Sequence, residues 1–400
     1  MTRASIHDRS FTLGPLALLA WALAGACASE GDETSVLDLP DASVDAEPAD
    51  TPVQVDPGDG GDAALVPPGC SEDGWCVVTL PELEATTLSA VWGSGPSDVW
   101  AVGSAGTIAH YDGATWAVLP KTDGGTEQTL FTVWGSGPND VWAGSTERVL
   151  FHTDGWKQGH ATWSLVEGSK RWQERLAAFE QSDPAGKLRV WALWGTGPND
   201  VWMFSNGTIR AWHAGGYGDG AVDWIPVLDY FPGTSIAFKG AWGSGPNDLW
   251  VVGGEGKILH SPTGYHDEVV DWEIVNSGTH QDLNAIWGTA PDDIWAVGRV
   301  GAIRHYTYDA GDALRWVPTT SGVDAELRAI WGSGANDVWV VGDSATILHG
   351  DGASWSRSRL PPLPEATAFR GIWGSGANDV WVVGDGVILH RGPTKAGQVQ

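Results

Sequence analysis

The stretch Val91-Trp92-Gly93-Ser94-Gly95-Pro96-Ser97-Asp98-Val99-Trp100-Ala101-Val102-Gly103 decides the fold, because six near-copies of it follow in the 400-residue chain. Its paired tryptophans set the count: Trp92/Trp100, Trp134/Trp142, Trp194/Trp202, Trp242/Trp250, Trp287/Trp295, Trp331/Trp339 and Trp373/Trp381. The first tryptophans are 42, 60, 48, 45, 44 and 42 residues apart. A recurring period of this size marks a propeller or a solenoid.

Within one unit the hydrophobic period is two. Leu88, Ala90 and Trp92 are expected on one face of a strand, with Ser89 and Val91 on the other. Gly93 to Asp98 then breaks the strand with turn residues, and the Asp98 carboxylate is expected to accept a backbone N–H there. Val99–Gly103 reads as a second strand, Thr107–His110 as a third and Trp116–Leu119 as a fourth, with a hairpin turn at Asp112-Gly113. Four short strands without helical periods describe an all-β blade. The seventh unit ends after its third strand, Gly386–His390. Gly74–Leu80 matches the fourth strands of the other units, so it is expected to close the ring and cover edges open to other chains. The expectation is all-β: a closed seven-bladed β-propeller of four-stranded blades over residues 70–400, closed by an N-terminal strand.

The Asp-Gly-x-x-Trp hairpins, Asp112-Gly113-Ala114-Thr115-Trp116 and Asp351-Gly352-Ala353-Ser354-Trp355, and the glycine-flanked third strands carry a resemblance. Over residues 74–392 the chain resembles bacterial secreted or lipoprotein propellers with Asp-box-like repeats, the sialidase-like and photosystem-assembly-factor-like group. The resemblance implies the fold. Such propellers host hydrolases, lectins and assembly factors, so it does not choose an activity. In a sialidase-like glycoside hydrolase, Arg299, Arg328 and Arg370 would bind the substrate carboxylate. No Tyr–Glu nucleophile pair or acid can be placed beside them, so an enzyme is not expected, and neither a catalytic residue, a cofactor nor a metal is assigned.

Ahead of the repeats, residues 1–27 read as a signal peptide: Arg3 and Arg9, then an apolar run from Phe11 to Ala26 that is short for a spanning helix. Ala24-Gly25-Ala26-Cys27 is lipobox-like, with Cys27 the lipid-modified residue; ordinary cleavage near Ala26 or Ala28 is the alternative. Residues 28–69 carry eleven Asp or Glu and neither Lys nor Arg, the composition of a disordered acidic linker. The expected place is therefore the bacterial outer membrane or cell surface as a lipoprotein, otherwise periplasmic or secreted. Cys70 and Cys76, the cysteines left after export, are expected to pair in such a compartment. A net charge of −28 argues against nucleic acid and against direct adhesion to an anionic membrane, so membrane contact is expected only through the lipid. A monomer is expected. The insertion after the second unit, Glu167–Leu188, includes a short helix expected over 170–181, set on one rim of the ring.

Residues common to all units serve the frame. That covers the turn aspartates and the paired tryptophans. It also covers the repeated histidines His110, His152, His260, His305, His349 and His390, with His213 nearby in the third unit, which are too far apart around a ring to share a metal. The informative place is three before the first tryptophan: Ser89, Phe131, Trp191, Lys239, Asn284, Arg328 and Arg370. It lies near the start of the innermost strand, at one mouth of the channel. Loops between second and third strands reach that rim with Ser104, Glu147, Asn206, Glu255, Arg299, Asp343 and Asp385. The candidate ligand residues are Phe131, Trp191, Lys239, Asn284, Arg299, Arg328 and Arg370: aromatic platforms facing cations, suited to a glycan or a protein or peptide segment with an anionic group. The competing reading pairs these cations with Asp343, Asp385 and Glu255 and leaves nothing to bind. A structural scaffold for envelope protein assembly is the other alternative.

Overall fold

The computed structural model describes residues 69–119, 127–146, 150–166, 170, 173–174, 189–206, 211–218, 221–228, 236–266 and 269–392. Residues 1–27, expected to be a signal peptide ending at Cys27, and nearly all of residues 28–69, expected to be an acidic linker, lie outside them. Of the helix expected over 170–181, only Lys170, Gln173 and Glu174 are described; they are helical, with Lys170 Nζ 3.8 Å from Glu174 Oε1. Among the described residues, no helix is long and apolar enough to cross a membrane.

Seven four-stranded antiparallel sheets form the blades. In the first, Leu88–Gly95 lies innermost, followed outward by Asp98–Gly103, Ile108–Tyr111 and Trp116–Val118. The seventh runs Phe369–Gly376, Asp379–Gly384 and Val387–Arg391, and its outer strand is Trp75–Val78 from the other end of the chain. That strand pairs antiparallel from Trp75↔Arg391 to Val78↔Ile388. A disulfide joins Cys70 to Cys76 at its start.

The apolar core lies between blades. Trp100, Val102 and Ile108 of blade one pack on Leu130, Val133 and Val141 of blade two. Trp381 and Val383 of blade seven pack on Leu88, Val91 and Val99 of blade one. Each first tryptophan also lies against the glycine that follows the first tryptophan of the next blade. A methyl group built on Gly93 would sit 2.7 Å from the Trp373 ring, and the same approach, between 2.5 and 3.0 Å, recurs from Trp92 onto Gly135 and on around to Trp331 onto Gly374. Only a residue without Cβ permits that contact.

Strict alternation along the innermost strand fails, and the failure is informative. Leu88 pairs with Gly103 and Ala90 with Val102, so Ser89 is the extra residue of a β-bulge. Leu88 and Val91 therefore share one core cluster, while Ala90 and Trp92 pack into the next. A second register shift, between Gly93 and Gly95, singles out Ser94 in the same way.

The second bulge explains the turn aspartate. Asp98 accepts from side chains: Ser94 Oγ at 2.6 Å, Trp100 Nε1 at 3.0 Å and His110 Nε2 at 2.7 Å. This replaces the backbone bond expected from the turn sequence. Blade three repeats it, with Thr196, Trp202 and His213 on Asp200 at 2.5, 2.9 and 2.9 Å. The hydroxyl and histidine bonds occur in all seven blades. Burial pushes the Asp98 carboxyl up, but the bonds from His110, Ser94 and Trp100 outweigh it and hold the group below its ordinary value. The repeated histidines are thus committed to carboxylates on the frame.

Candidate functional site

The first bulge aims the site. An inserted residue leaves the ladder and turns its side chain out of the pleat. In blades one, three, four, five, six and seven that residue is Ser89, Trp191, Lys239, Asn284, Arg328 and Arg370. In blade two, Phe131 stands just before the strand Thr132–Gly137, its N–H bonded to the Gly144 carbonyl at 2.8 Å. All seven side chains line one cavity of about 610 Å³ at the rim opposite the Asp98-type turns. Residues 42 to 60 apart in the chain become neighbours there, one from each repeat. A hollow of about 770 Å³ by Arg357 and Pro361–Leu363 lies away from these positions and mixes one cation with loop prolines.

One side of the cavity is a connected polar network. Lys239 Nζ donates to Asn284 Oδ1 at 2.9 Å and to Asp282 Oδ2 at 3.2 Å. Asn284 Nδ2 donates to the Leu327 carbonyl at 2.8 Å and to Glu326 Oε1 at 3.1 Å. Arg328 forks onto Asp343 through Nε at 2.5 Å and Nη2 at 2.8 Å, with Glu326 3.6 Å from Nη2. Arg370 does the same with Asp385, at 2.8 and 3.3 Å. The Asp343 hydrogen bonds lift the Arg328 guanidinium above its ordinary value. Bonds from Arg370 hold Asp385 down against a smaller upward push from burial. Burial pushes Asp282 up, but the Glu255 N–H and Lys239 more than reverse it.

These pairings revise the expected cation cluster. Arg328 and Arg370 are neutralised in place by Asp343 and Asp385. Lys239 pairs with Asp282, and Glu255 instead gives its backbone N–H to Asp282 at 2.9 Å. Arg299 does not line the cavity; it is exposed on its loop, and its N–H bonds to the Asp282 carbonyl at 2.9 Å.

The other side is aromatic. The Phe131 and Trp191 rings lie 5.6 Å apart, tilted by 43°. The Arg189 guanidinium sits 5.0 Å from the Phe131 ring centre and 5.4 Å from that of Trp191. Its backbone is pinned by a 2.7 Å bond from its N–H to Asn206 Oδ1 and by a bridge to Thr146. Sequence reasoning passed over Arg189 because it stands two places before the variable position. Thr87, Thr129 and Glu326 hold that same place in their repeats and also line the cavity. Among the described residues, no cluster of three or more His, Cys, Asp or Glu could hold a metal.

No protein-family model matches the chain, and no curated protein matches it. Solved structures do. YCF48 from Cyanidioschyzon merolae superposes with a TM-score of 0.60 at 17% identity, over 80% of this chain and 99% of that one. The chain is a β-propeller. YCF48 bound to D1 peptide matches the propeller with a TM-score of 0.60 at 17% identity, over 81% of this chain and 97% of the other. Streptogramin B lyase matches it with a TM-score of 0.57 at 15% identity, over 80% and 99%. At such identities the propeller shares a fold with these proteins, and the fold serves both an enzyme and a peptide complex.

Proposed function

We propose that this propeller binds a protein or peptide segment at its channel mouth and does no chemistry on it. One observation carries the reading: the position that changes from repeat to repeat opens, in all seven blades, into a single cavity. Frame positions stay constant because every blade needs them, and side chains free to vary on a rigid frame are where binding function resides. The complex of YCF48 with D1 peptide supports a peptide as occupant on this fold. Asp282 and Asp385, the partners of Lys239 and Arg370, are held below the ordinary carboxylate range, so neither supplies a proton as a general acid at neutral pH.

The test is selection of a random-peptide display library on the full chain, with each selected peptide then titrated against Phe131→Ala and Trp191→Ala. Loss of a buried aromatic contact of about 1.5–3 kcal/mol weakens binding by about tenfold or more. If every selected peptide binds these variants as tightly as the parent, the mouth is not the binding site and the reading fails. Glycans offered in parallel separate a lectin from a peptide binder.

The place of action is also a proposal. The apolar N-terminal run and Ala24-Gly25-Ala26-Cys27 support export and lipid attachment at Cys27, which would hold the propeller at a bacterial envelope.

A further inference from the structure

The peptide reading leaves open what the mouth recognises, and the pattern of used and unused charge narrows it. The cavity contains four cations: Arg189, Lys239, Arg328 and Arg370. Three are spent. Arg328 and Arg370 each close a two-pronged pair with an aspartate, and Lys239 is divided between Asp282 and Asn284. A ligand anion drawn to any of them meets a cation whose charge a neighbouring carboxylate already offsets.

Arg189 is differently placed. Among the described residues no carboxylate pairs with it, and its guanidinium is held against Phe131 and Trp191. The ring faces attract the cation, and a guanidinium so held keeps N–H donors that match a carboxylate with two parallel bonds. The rings that brace the cation also present apolar surface to whatever lies beside that carboxylate. On the arc from blade one to blade two, Ser89, Ser104 and Thr129 add hydroxyls that can meet a peptide backbone.

We infer that Arg189, braced on Phe131 and Trp191, is the carboxylate receptor of the mouth. It takes an acidic group of the bound segment, with an apolar neighbour of that group against the two rings. This rests on the mouth being a peptide site. It moves the anion contact away from Arg328 and Arg370, where the charge count of the sequence had put it.

Peptides selected from the display library on the full chain are resynthesised with each Asp or Glu changed to the amide, and separately with an amidated C-terminus. Each is titrated against the parent protein, Arg189→Met and Arg189→Lys. Arg189 is exposed, so Arg189→Met should fold as the parent does, and unchanged urea unfolding verifies this. Removing one carboxylate, or making Arg189→Met, should each weaken binding by about tenfold or more, and the two together by no more than either alone. Arg189→Lys should recover only part, because an ammonium is not a fork. C-terminal amidation distinguishes a terminal carboxylate from a side-chain one. If amide peptides bind as tightly, or Arg189→Met changes nothing while Trp191→Ala still weakens binding, the carboxylate assignment is wrong and the peptide site stands. If no selected peptide responds to either Phe131→Ala or Trp191→Ala, both fall.

Discussion

Replacing Asp98 by alanine removes the acceptor of three hydrogen bonds at once. Ser94 is exposed and can turn to water. The other two donors cannot, because Trp100 is 0% and His110 1% exposed. A buried donor left unpaired costs about 1–3 kcal/mol, so Asp98→Ala should destabilise the propeller by about 2–6 kcal/mol. Asp98→Asn behaves differently. Its amide oxygen can still accept from Trp100 and His110, Ser94 can reverse its hydroxyl, and only charge assistance is lost, about 1 kcal/mol. Urea unfolding of the two variants against the parent measures both numbers. The pH dependence supplies a second reading of the same carboxylate. Asp98, Asp140, Asp200, Asp248 and Asp379 are all held below their ordinary value of 3.8. Stability drawn from such groups is complete above the unfolded pKa and is lost as pH falls through each lower, folded pKa. Acid should therefore unfold the ring below about pH 4, and Asp98→Asn should make that loss shallower by one group's share. If Asp98→Ala unfolds within 1 kcal/mol of Asp98→Asn, the carboxylate is not what holds Trp100 and His110, and the account of the turn is wrong.

Gly93→Ala should cost about 1–3 kcal/mol, because its methyl meets the Trp373 ring at 2.7 Å, whereas Gly95→Ala, with nothing within 4 Å, should be close to neutral; thermal unfolding compares them. Ala345, with φ of 48°, occupies the left-handed place that Gly106, Gly256 and Gly301 hold in other blades, so Ala345→Val should destabilise by about 1–2 kcal/mol and Ala345→Gly should stabilise slightly in the same assay. A double-mutant cycle on Arg328 and Asp343 should return a coupling of about 0.5–1.5 kcal/mol, and a coupling of zero would free Arg328 as an anion receptor. Cys27→Ala should move the protein from the membrane fraction to the soluble one if the lipid is its anchor, and an unchanged fraction would count against lipid attachment.

Blade number and strand count were legible because each unit spends two tryptophans and an aspartate on itself, and such a costly signature is easy to count. The mouth was legible for a related reason: a place that varies while its neighbours do not must face something other than the frame. Face assignment was not legible. Alternation puts Leu88 opposite Val91, and nothing in Leu-Ser-Ala-Val announces the bulge at Ser89 that brings them together. The acceptor role of Asp98 was misjudged for the same reason, since Ser94 reaches it only across the second bulge. Charges in the mouth could be gathered by position, and the competing reading named Asp343 and Asp385 as partners but Glu255 in place of Asp282. Asp343 and Asp385 stand where a simple loop count puts them, while the partner of Lys239 is Asp282, 43 residues on and in the next blade. Arg189 was hidden by standing two places before the variable position, just outside the strand Val190–Gly197.

The bulge at the start of each innermost strand has a consequence for how such a protein can change. A residue that sits in the ladder is answerable to a partner across the sheet and to a neighbouring blade. The bulged residue is released from the first obligation, so altering it edits the mouth and its side-chain bonds while the backbone ladder of the blade stays as it was. The lining of the mouth is spelled one letter per repeat, in a place where the spelling does not disturb the page. A chain that gained or lost a repeat would change the diameter of its mouth and the length of the word in the same event.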